Sequence, residues 1–429
     1  MDIEATTARD GSAIVTIDGT PQRKITATGL EDARAQVVAI AKDHAAASGQ
    51  NATLIASDPE GVWTVIVTPD GDLLDPDQAA VGVATSAVDA AHAALETPTD
   101  EPSRAPQRGE DTPTVHLPTR RDVQQGRHSF LKDTQVEQPA TQGWRGLATR
   151  FGLRMAPSQS ERAERADIHA VSQHWPGPRT IVVANGKGGS SKTPTTILLA
   201  AVFARYGGAG IVAWDANQTR GTLGWRTEQG PHQATVLDLL PEADRLLGTG
   251  AQSADLAHWV HHQTADRYDV LRSQPIQLAA DQRVSTDDVD LVWSVAAKFY
   301  RVIVIDTGND ESDPLWLQVI DHADQIVVPT TTRADHAEAG ALLLDALRDR
   351  DEHSRRLADQ AVAIVTQADP RASKTDITNI VTGYQDLARE VVTIPHDPAI
   401  VDGILQWDSL RPSTQRAWLH AAAAVARGL

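Results

Sequence analysis

Two kinds of hydrophobic pattern divide the chain. Near its start, Ser12–Ile17 alternates apolar and polar positions as a half-buried strand does, Asp18-Gly19-Thr20-Pro21 reads as a turn, and Gln22–Ala27 can pair back. Leu30, Ala33, Val37, Ile40, Ala41 and His44 then recur at helical spacing, up to a stop at Ser48-Gly49. Thr53–Ala56 and Val62–Thr68 are further strands around an Asp58–Gly61 turn. Asp70-Gly71-Asp72 reads as a hairpin turn rather than a cation loop. Residues 1–78 are therefore expected to form a small α+β interaction domain without a catalytic constellation.

From Arg179 onward the pattern changes. Short, continuously apolar runs alternate with amphipathic segments, and the runs Thr180–Ala184, Ile211–Asp215, Tyr268–Ser273, Val302–Asp306, Gln325–Val328, Ala361–Thr366 and Val391–Ile394 are the strand candidates. A run without strict alternation is what a strand buried on both faces looks like. The expected fold of residues 176–429 is α/β, a mostly parallel sheet covered by helices on both faces. Between the two patterns, residues 79–175 are rich in Pro, Gln, Thr, Glu and Arg; beyond a short Ala-rich helical stretch, Val81–Leu95, they read as a largely disordered linker. Within the linker, residues 143–155 place Trp144, Leu147, Phe151 and Met155 on one helical stripe, with Arg145, Arg150 and Arg154 elsewhere. Such a segment docks onto the carboxy-terminal domain, binds a partner, or lies on a membrane surface; the first two are favoured over the third.

Composition narrows the functional classes. A length of 429 residues suits two or three domains, and a formal net charge of −18 disfavours non-specific nucleic-acid binding by the surface as a whole. The absence of cysteine excludes disulfides, thiol nucleophiles and iron–sulfur clusters. No apolar run approaches the roughly 20 residues of a membrane span, and no basic-then-apolar leader opens the sequence, so a cytoplasmic location is expected. His258-Trp259-Val260-His261-His262 comes nearest to metal-ligand spacing and reads instead as a solvated helix face.

The chemistry concentrates in Ile181–Thr193, where a β-branched run ends in a glycine-rich turn and a helical pattern begins at Lys192-Thr193. That order suits a triphosphate: successive backbone N–H groups wrap phosphate oxygens and the helix dipole favours anions. A loop-end lysine reaches the β- and γ-phosphates, and the adjacent threonine hydroxyl ligates Mg²⁺. Ser191 stands where the loop pattern has glycine. Val302–Asp306 is four apolar β-formers ending in an acid, a second Mg²⁺ candidate.

The spacing Lys187-Gly188-Gly189-x-x-Lys192-Thr193 resembles the deviant Walker A signature of the ParA/MinD family of dimerising P-loop ATPases, over about residues 178–429. The resemblance implies a P-loop fold with ATP and Mg²⁺ as cofactors. Gly186, Lys187, Gly188, Gly189, Ser190, Ser191, Lys192, Thr193 and Pro194 would form the nucleotide loop, with Lys187 also acting across a dimer interface. Asp306 would be its Walker B acid, and Asp215 and Asn217 would stand where the family has Asp-x-Asp, so that Thr193, Asp215 and Asp306 serve the metal. The glycine-rich turn at 207–210 leaves open which of the two acids' roles Asp215 takes. Thr366 and Gln367 replace the asparagine that reads adenine, and Pro395 and Asp397 fit a late Pro-x-Asp loop beside the base.

These implications support an ATP-dependent dimerising switch that positions or regulates a large cargo, such as DNA in partition or a cell-pole or secretion complex. Trp-Arg segments like 143–155 precede the ATPase part in some secretion-linked ATPases of high-GC bacteria. The alternative is a nucleotide-binding scaffold with negligible hydrolysis, motivated by Ser191 and Asn217, since an amide orients water but accepts no proton. The expected partners are a second copy in the presence of nucleotide and a protein bound through the N-terminal domain or residues 143–155. DNA has no dense basic patch to dock on, and Thr414–Leu429 reads as a packing helix rather than a basic membrane helix.

Overall fold

The computed structural model describes residues 2–8, 10–58, 61–71, 73–74, 137–150, 155–217, 221–273, 284–401 and 403–429. They fall into two compact units, Met1–Glu161 and Arg162–Leu429.

The N-terminal unit is an α+β sheet of six strands: β1 (Asp2–Thr7), β2 (Ser12–Ile17), β3 (Thr20–Thr26), β4 (Ala52–Asp58), β5 (Gly61–Val67) and β6 (Leu73–Leu74), in the order β3-β2-β1-β4-β5-β6. The pair β1–β4 is parallel, and the helix Leu30–Ser48 connects the two hairpins on either side of it. Ala33, Val37, Ala41 and Ala45 recur every fourth residue and are wholly buried, so this stripe packs on the sheet. The helix stops at Gly49, whose φ of 65° is the left-handed cap glycine tolerates best. Arg34 closes the unit from the helix by donating through Nε to Asp58 Oδ2 at 2.9 Å, and both side chains are buried. Periodicity assigns no strand to Asp2–Thr7, yet β1 is a central strand, because it has pairing partners on both sides.

Two further differences concern the stretch expected to be linker. Gly143–Arg150 is a helix, and Ala140 and Met155 join the core of the N-terminal unit rather than the carboxy-terminal domain expected as a docking surface. Phe151 and Arg154 lie outside the described residues, as do Val81–Leu95 and Asp72. Gln159–Val171 is also helical, opened by Ser158, whose hydroxyl accepts from Glu161 N at 3.1 Å. Ser158-x-x-Glu161 is a capping signal present in the sequence. The boundary between units thus falls at 161/162, ahead of the expected 175/176.

The carboxy-terminal unit carries β7 (Arg179–Val183), β8 (Ile211–Asp215), β9 (His261–His262), β10 (Asp269–Leu271), β11 (Val302–Asp306), β12 (Gln325–Thr331), β13 (Val362–Thr366) and β14 (Glu390–Ile394) in one eight-stranded sheet, ordered β14-β13-β12-β7-β11-β8-β10-β9. Among the described strands of this sheet, only β9 runs antiparallel to its neighbour. Alternate residues of β11 feed two cores: Val302 and Val304 pack with the helices Lys192–Gly207 and Pro412–Ala426, whereas Ile303 and Ile305 pack with Thr286–Phe299 and Pro314–Asp321. This is a parallel α/β sheet covered on both faces, the expected fold. Thr414–Leu429 behaves as read, with Trp418 fully buried. The histidine segment does not. His261 and His262 form β9, and His261 is fully buried, accepting through Nδ1 from Gly230 N at 3.0 Å and bonded through Nε2 to Ala234 O at 2.9 Å.

Candidate functional site: a glycine-rich loop beside two strand-terminal acids

Topology assembles the site. Because β11 inserts between β7 and β8, Asp306 stands beside Val183 on one side and beside Asp215 on the other. The glycine-rich loop leaves β7 at that same edge, where ligands of open α/β sheets sit. Asn185 ties the loop down: its Nδ2 donates to Pro329 O at 2.9 Å and His336 O at 3.1 Å, while its Oδ1 accepts from Lys187 N at 2.9 Å. Gly189 has φ 82° and Ser191 has φ 75°. Ser191 therefore adopts the left-handed conformation that its glycine-expected position demands, at a steric cost.

Lys192 is buried under the loop, and its ammonium donates to Asn185 O at 2.8 Å, Lys187 O at 2.9 Å and Asn309 Oδ1. Burial pushes this ammonium down to about 8, although Asp306 and Glu311 favour its charge. Such a cation gains from a phosphate oxygen placed beside it. Thr193 Oγ1 donates to Asp306 Oδ2 at 2.6 Å and lies 2.8 Å from Thr222 Oγ1, a hydroxyl pair joined by one hydrogen bond. Burial holds the carboxyls of Asp215 and Asp306 above the usual carboxylate range, and Asp306 raises Asp215 further. Asp215 Oδ2 and Asp306 Oδ1 are buried without a hydrogen-bond partner. Two adjacent buried carboxyls, each with an oxygen left over, fit a hard divalent cation. No group of three or more His, Cys, Asp or Glu among the described residues could hold a metal alone. A Mg²⁺ ion here would therefore be held by Thr193, Asp306 and the nucleotide's own oxygens, with Asp215 behind them.

Asn217 follows β8 and donates its backbone N–H to Asp215 Oδ1 at 3.1 Å. Gly221 is needed beside this acid, since a Cβ there would lie 1.9 Å from Asp215 Oδ2. Gln218 and Arg220 lie outside the described residues.

A cleft of about 550 Å³ runs from Gly188, Gly189 and Ser191–Pro194 past Asn217 and Asp306 to Thr366, Gln367 and Asp397. Gly186, Lys187, Ser190, Asp215 and Pro395 do not line it. Lys187 is exposed, contributing only backbone groups to its own loop. Gly186 packs beneath Glu311, and the Asp397 carboxylate accepts from Ala399 N at 3.1 Å and Arg411 N at 2.9 Å, organising its loop. Sequence reasoning missed Asn185, Thr222, Asn309 and Glu311. Asn309 and Glu311 follow the strand-terminal Asp306 by a few residues, which is the available signal.

Fold and site together define a parallel α/β unit with a glycine-rich loop and two buried acids at the carboxyl edge of its sheet. No family model matches the chain. Among curated proteins it is similar to the ESX-1 secretion-associated protein EspI of Mycobacterium tuberculosis, strains CDC 1551 / Oshkosh and H37Rv, at 27% identity over 299 residues. That match covers 68% of this chain and 42% of EspI, so the chain spans less than half the length of these relatives. Among solved structures it is similar to a ParA family ATPase from Chlorobium tepidum TLS (19% identity, TM-score 0.43, covering 58% of this chain and 96% of that one). It is also similar to the septum site-determining protein MinD with Mg-ADP from Pyrococcus horikoshii OT3 (18%, 0.43, 57% and 94%). A third similar structure is that of a Cyanothece McdA variant in complex with ATP (15%, 0.44, 58% and 97%).

Proposed function

We propose that the chain is a Mg²⁺- and ATP-dependent switch ATPase of the ParA/MinD type, which dimerises around nucleotide and regulates or positions a secretion-associated complex. The observation that carries this reading is the row formed by Lys192, Thr193, Asp306 and Asp215 at one sheet edge. Lys192 and the loop N–H groups hold phosphate, Thr193 and Asp306 serve the metal, and Asn217 orients water beside Asp215. Bound Mg²⁺ supplies charge neutralisation at the transferring phosphoryl group. Lys187 acts on a partner copy in this reading, which its exposure outside its own cleft supports. Similarity to EspI supports a secretion-associated cargo over DNA partition, the N-terminal unit serving as the partner-binding module. No helix among the described residues is long and apolar enough to cross a membrane; the proposed location is cytoplasmic.

The second reading, a scaffold with negligible turnover, is favoured by Asn217, which cannot take a proton from water. Light scattering after size exclusion, in ADP and in ATP with phosphate release followed on the same samples, separates the two. A dimer in ATP alone with slow release is expected. A dimer without release supports the scaffold, and Asn217→Asp should then start turnover. Lys187→Ala should bind ATP as a monomer. Absence of any nucleotide effect overturns both readings.

A further inference from the structure

The phosphate end of the cleft is accounted for by the loop, but the lip carries an aromatic ring that the core does not use. Trp225 ends a single 3₁₀ turn, Leu223–Trp225, in which Leu223 is fully buried while Trp225 is 64% exposed. Elsewhere in this unit Trp214, Trp316, Trp407 and Trp418 are buried. The backbone beneath Trp225 is clamped: Arg226 donates through Nε to Gly403 O at 2.7 Å and through Nη2 to Ile400 O at 2.8 Å, and Leu405 N donates to Arg226 O at 2.9 Å. The backbone that carries the ring is thus fixed at the mouth of the cleft, which Trp225 lines together with Ile400 and Val401. The cleft also receives Thr366, only 2% exposed, whose buried Oγ1 has no hydrogen-bond partner. Beside it, Gln367 donates one amide N–H to Ala372 O at 3.3 Å, which leaves its carbonyl oxygen and its second N–H for a ligand.

A solvent-facing indole on a clamped backbone at the rim and an unsatisfied hydroxyl inside describe a site for a flat, polar-edged ring. We infer that Trp225 is the stacking platform for the nucleobase of the bound nucleotide, with Thr366 and Gln367 meeting the base's hydrogen-bonding edge. The inference rests on the nucleotide reading and extends it. Stacking is tolerant of base identity because every base presents a π-face. Trp225 therefore contributes to affinity for ATP and GTP alike, and discrimination between them falls to Thr366 and Gln367.

Calorimetric titration of the full chain with Mg-ATP, Mg-GTP and Mg-tripolyphosphate tests this in wild type, Trp225→Ala and Trp225→Phe. Trp225→Ala should weaken ATP and GTP by about tenfold each, the loss expected for one base–aromatic stack, and leave tripolyphosphate unchanged. Trp225→Phe should retain most of the affinity, because a smaller aromatic face still stacks. Wild-type ATP affinity in Trp225→Ala, or an equal loss of tripolyphosphate, overturns the inference while leaving the nucleotide reading in place. A wild-type protein that binds neither ATP nor tripolyphosphate removes both.

Discussion

Strand β1 of the N-terminal sheet alternates exposed and buried positions from Asp2 to Thr7, whereas β11 of the carboxy-terminal sheet buries every residue from Val302 to Asp306. The first sheet has one helix-covered face. Its other face keeps Glu4 and Thr6 in solvent beside Ile14 and Val62, which are 52% and 72% exposed and stand in register with Thr6 and Ser57. The second sheet has no open face, so its strand-borne acids are pushed to the strand ends, and Asp215 and Asp306 end up side by side. A one-faced sheet spreads its polar groups over a surface suited to a partner. A two-faced sheet concentrates them at one edge, where they become a site.

The largest effect that would break this contrast is on binding. Lys192→Ala removes the buried ammonium beneath the loop, and truncating such a charge should weaken ATP by roughly a hundredfold or more. Calorimetry measures the loss, and unchanged affinity would detach the strand-edge acids from nucleotide altogether. Next comes stability of the other unit. Leu54 is fully buried in β4, so Leu54→Ala should destabilise the N-terminal unit by about 2–5 kcal/mol. Thermal melts with and without ATP should show the carboxy-terminal unit unaffected, and a lost ATP response would show the two sheets to be coupled.

The smallest effect sharpens the contrast at the far edge of the second sheet. Burial holds His261 below the ordinary histidine value of 6.5, and its Nδ1 must stay unprotonated to accept from Gly230 N. The folded state binds this proton less tightly than the unfolded chain. Its contribution to stability is therefore complete above about 6.5 and declines as pH falls below that value. Urea titrations from about pH 8 down to about pH 5 should show the decline, and His261→Gln should flatten it.

Much of this arrangement is legible in the chain itself. Ile211–Asp215 and Val302–Asp306 match their strands to the residue, because continuous apolar runs ending in an acid leave little choice of boundary. The helix Leu30–Ser48 follows from its spacing and from Gly49. Asp2–Thr7 gives too weak a strand signal, since only Ile3 and Ala5 carry its apolar face. His261 looks solvated in sequence because its partners, Gly230 and Ala234, lie about thirty residues back along the chain. Asn309 reaches Lys192 across a separation of 117 residues, and Asn185 reaches Pro329 across 144, so no local pattern could announce either contact.

The sequence by itself determined the glycine-rich loop, the acids at strand ends and the two kinds of sheet, because glycine tolerance, strand periodicity and charge are properties of neighbouring residues. Tertiary structure alone decided that β11 enters between β7 and β8. That insertion makes Asp306 the neighbour of both the loop and Asp215, while the bonds of Arg226 to Ile400 and Gly403 bring Trp225 to the cleft that Thr366 also lines. Strand order is set by packing free energy summed over two helical layers, a quantity that no local window of residues contains.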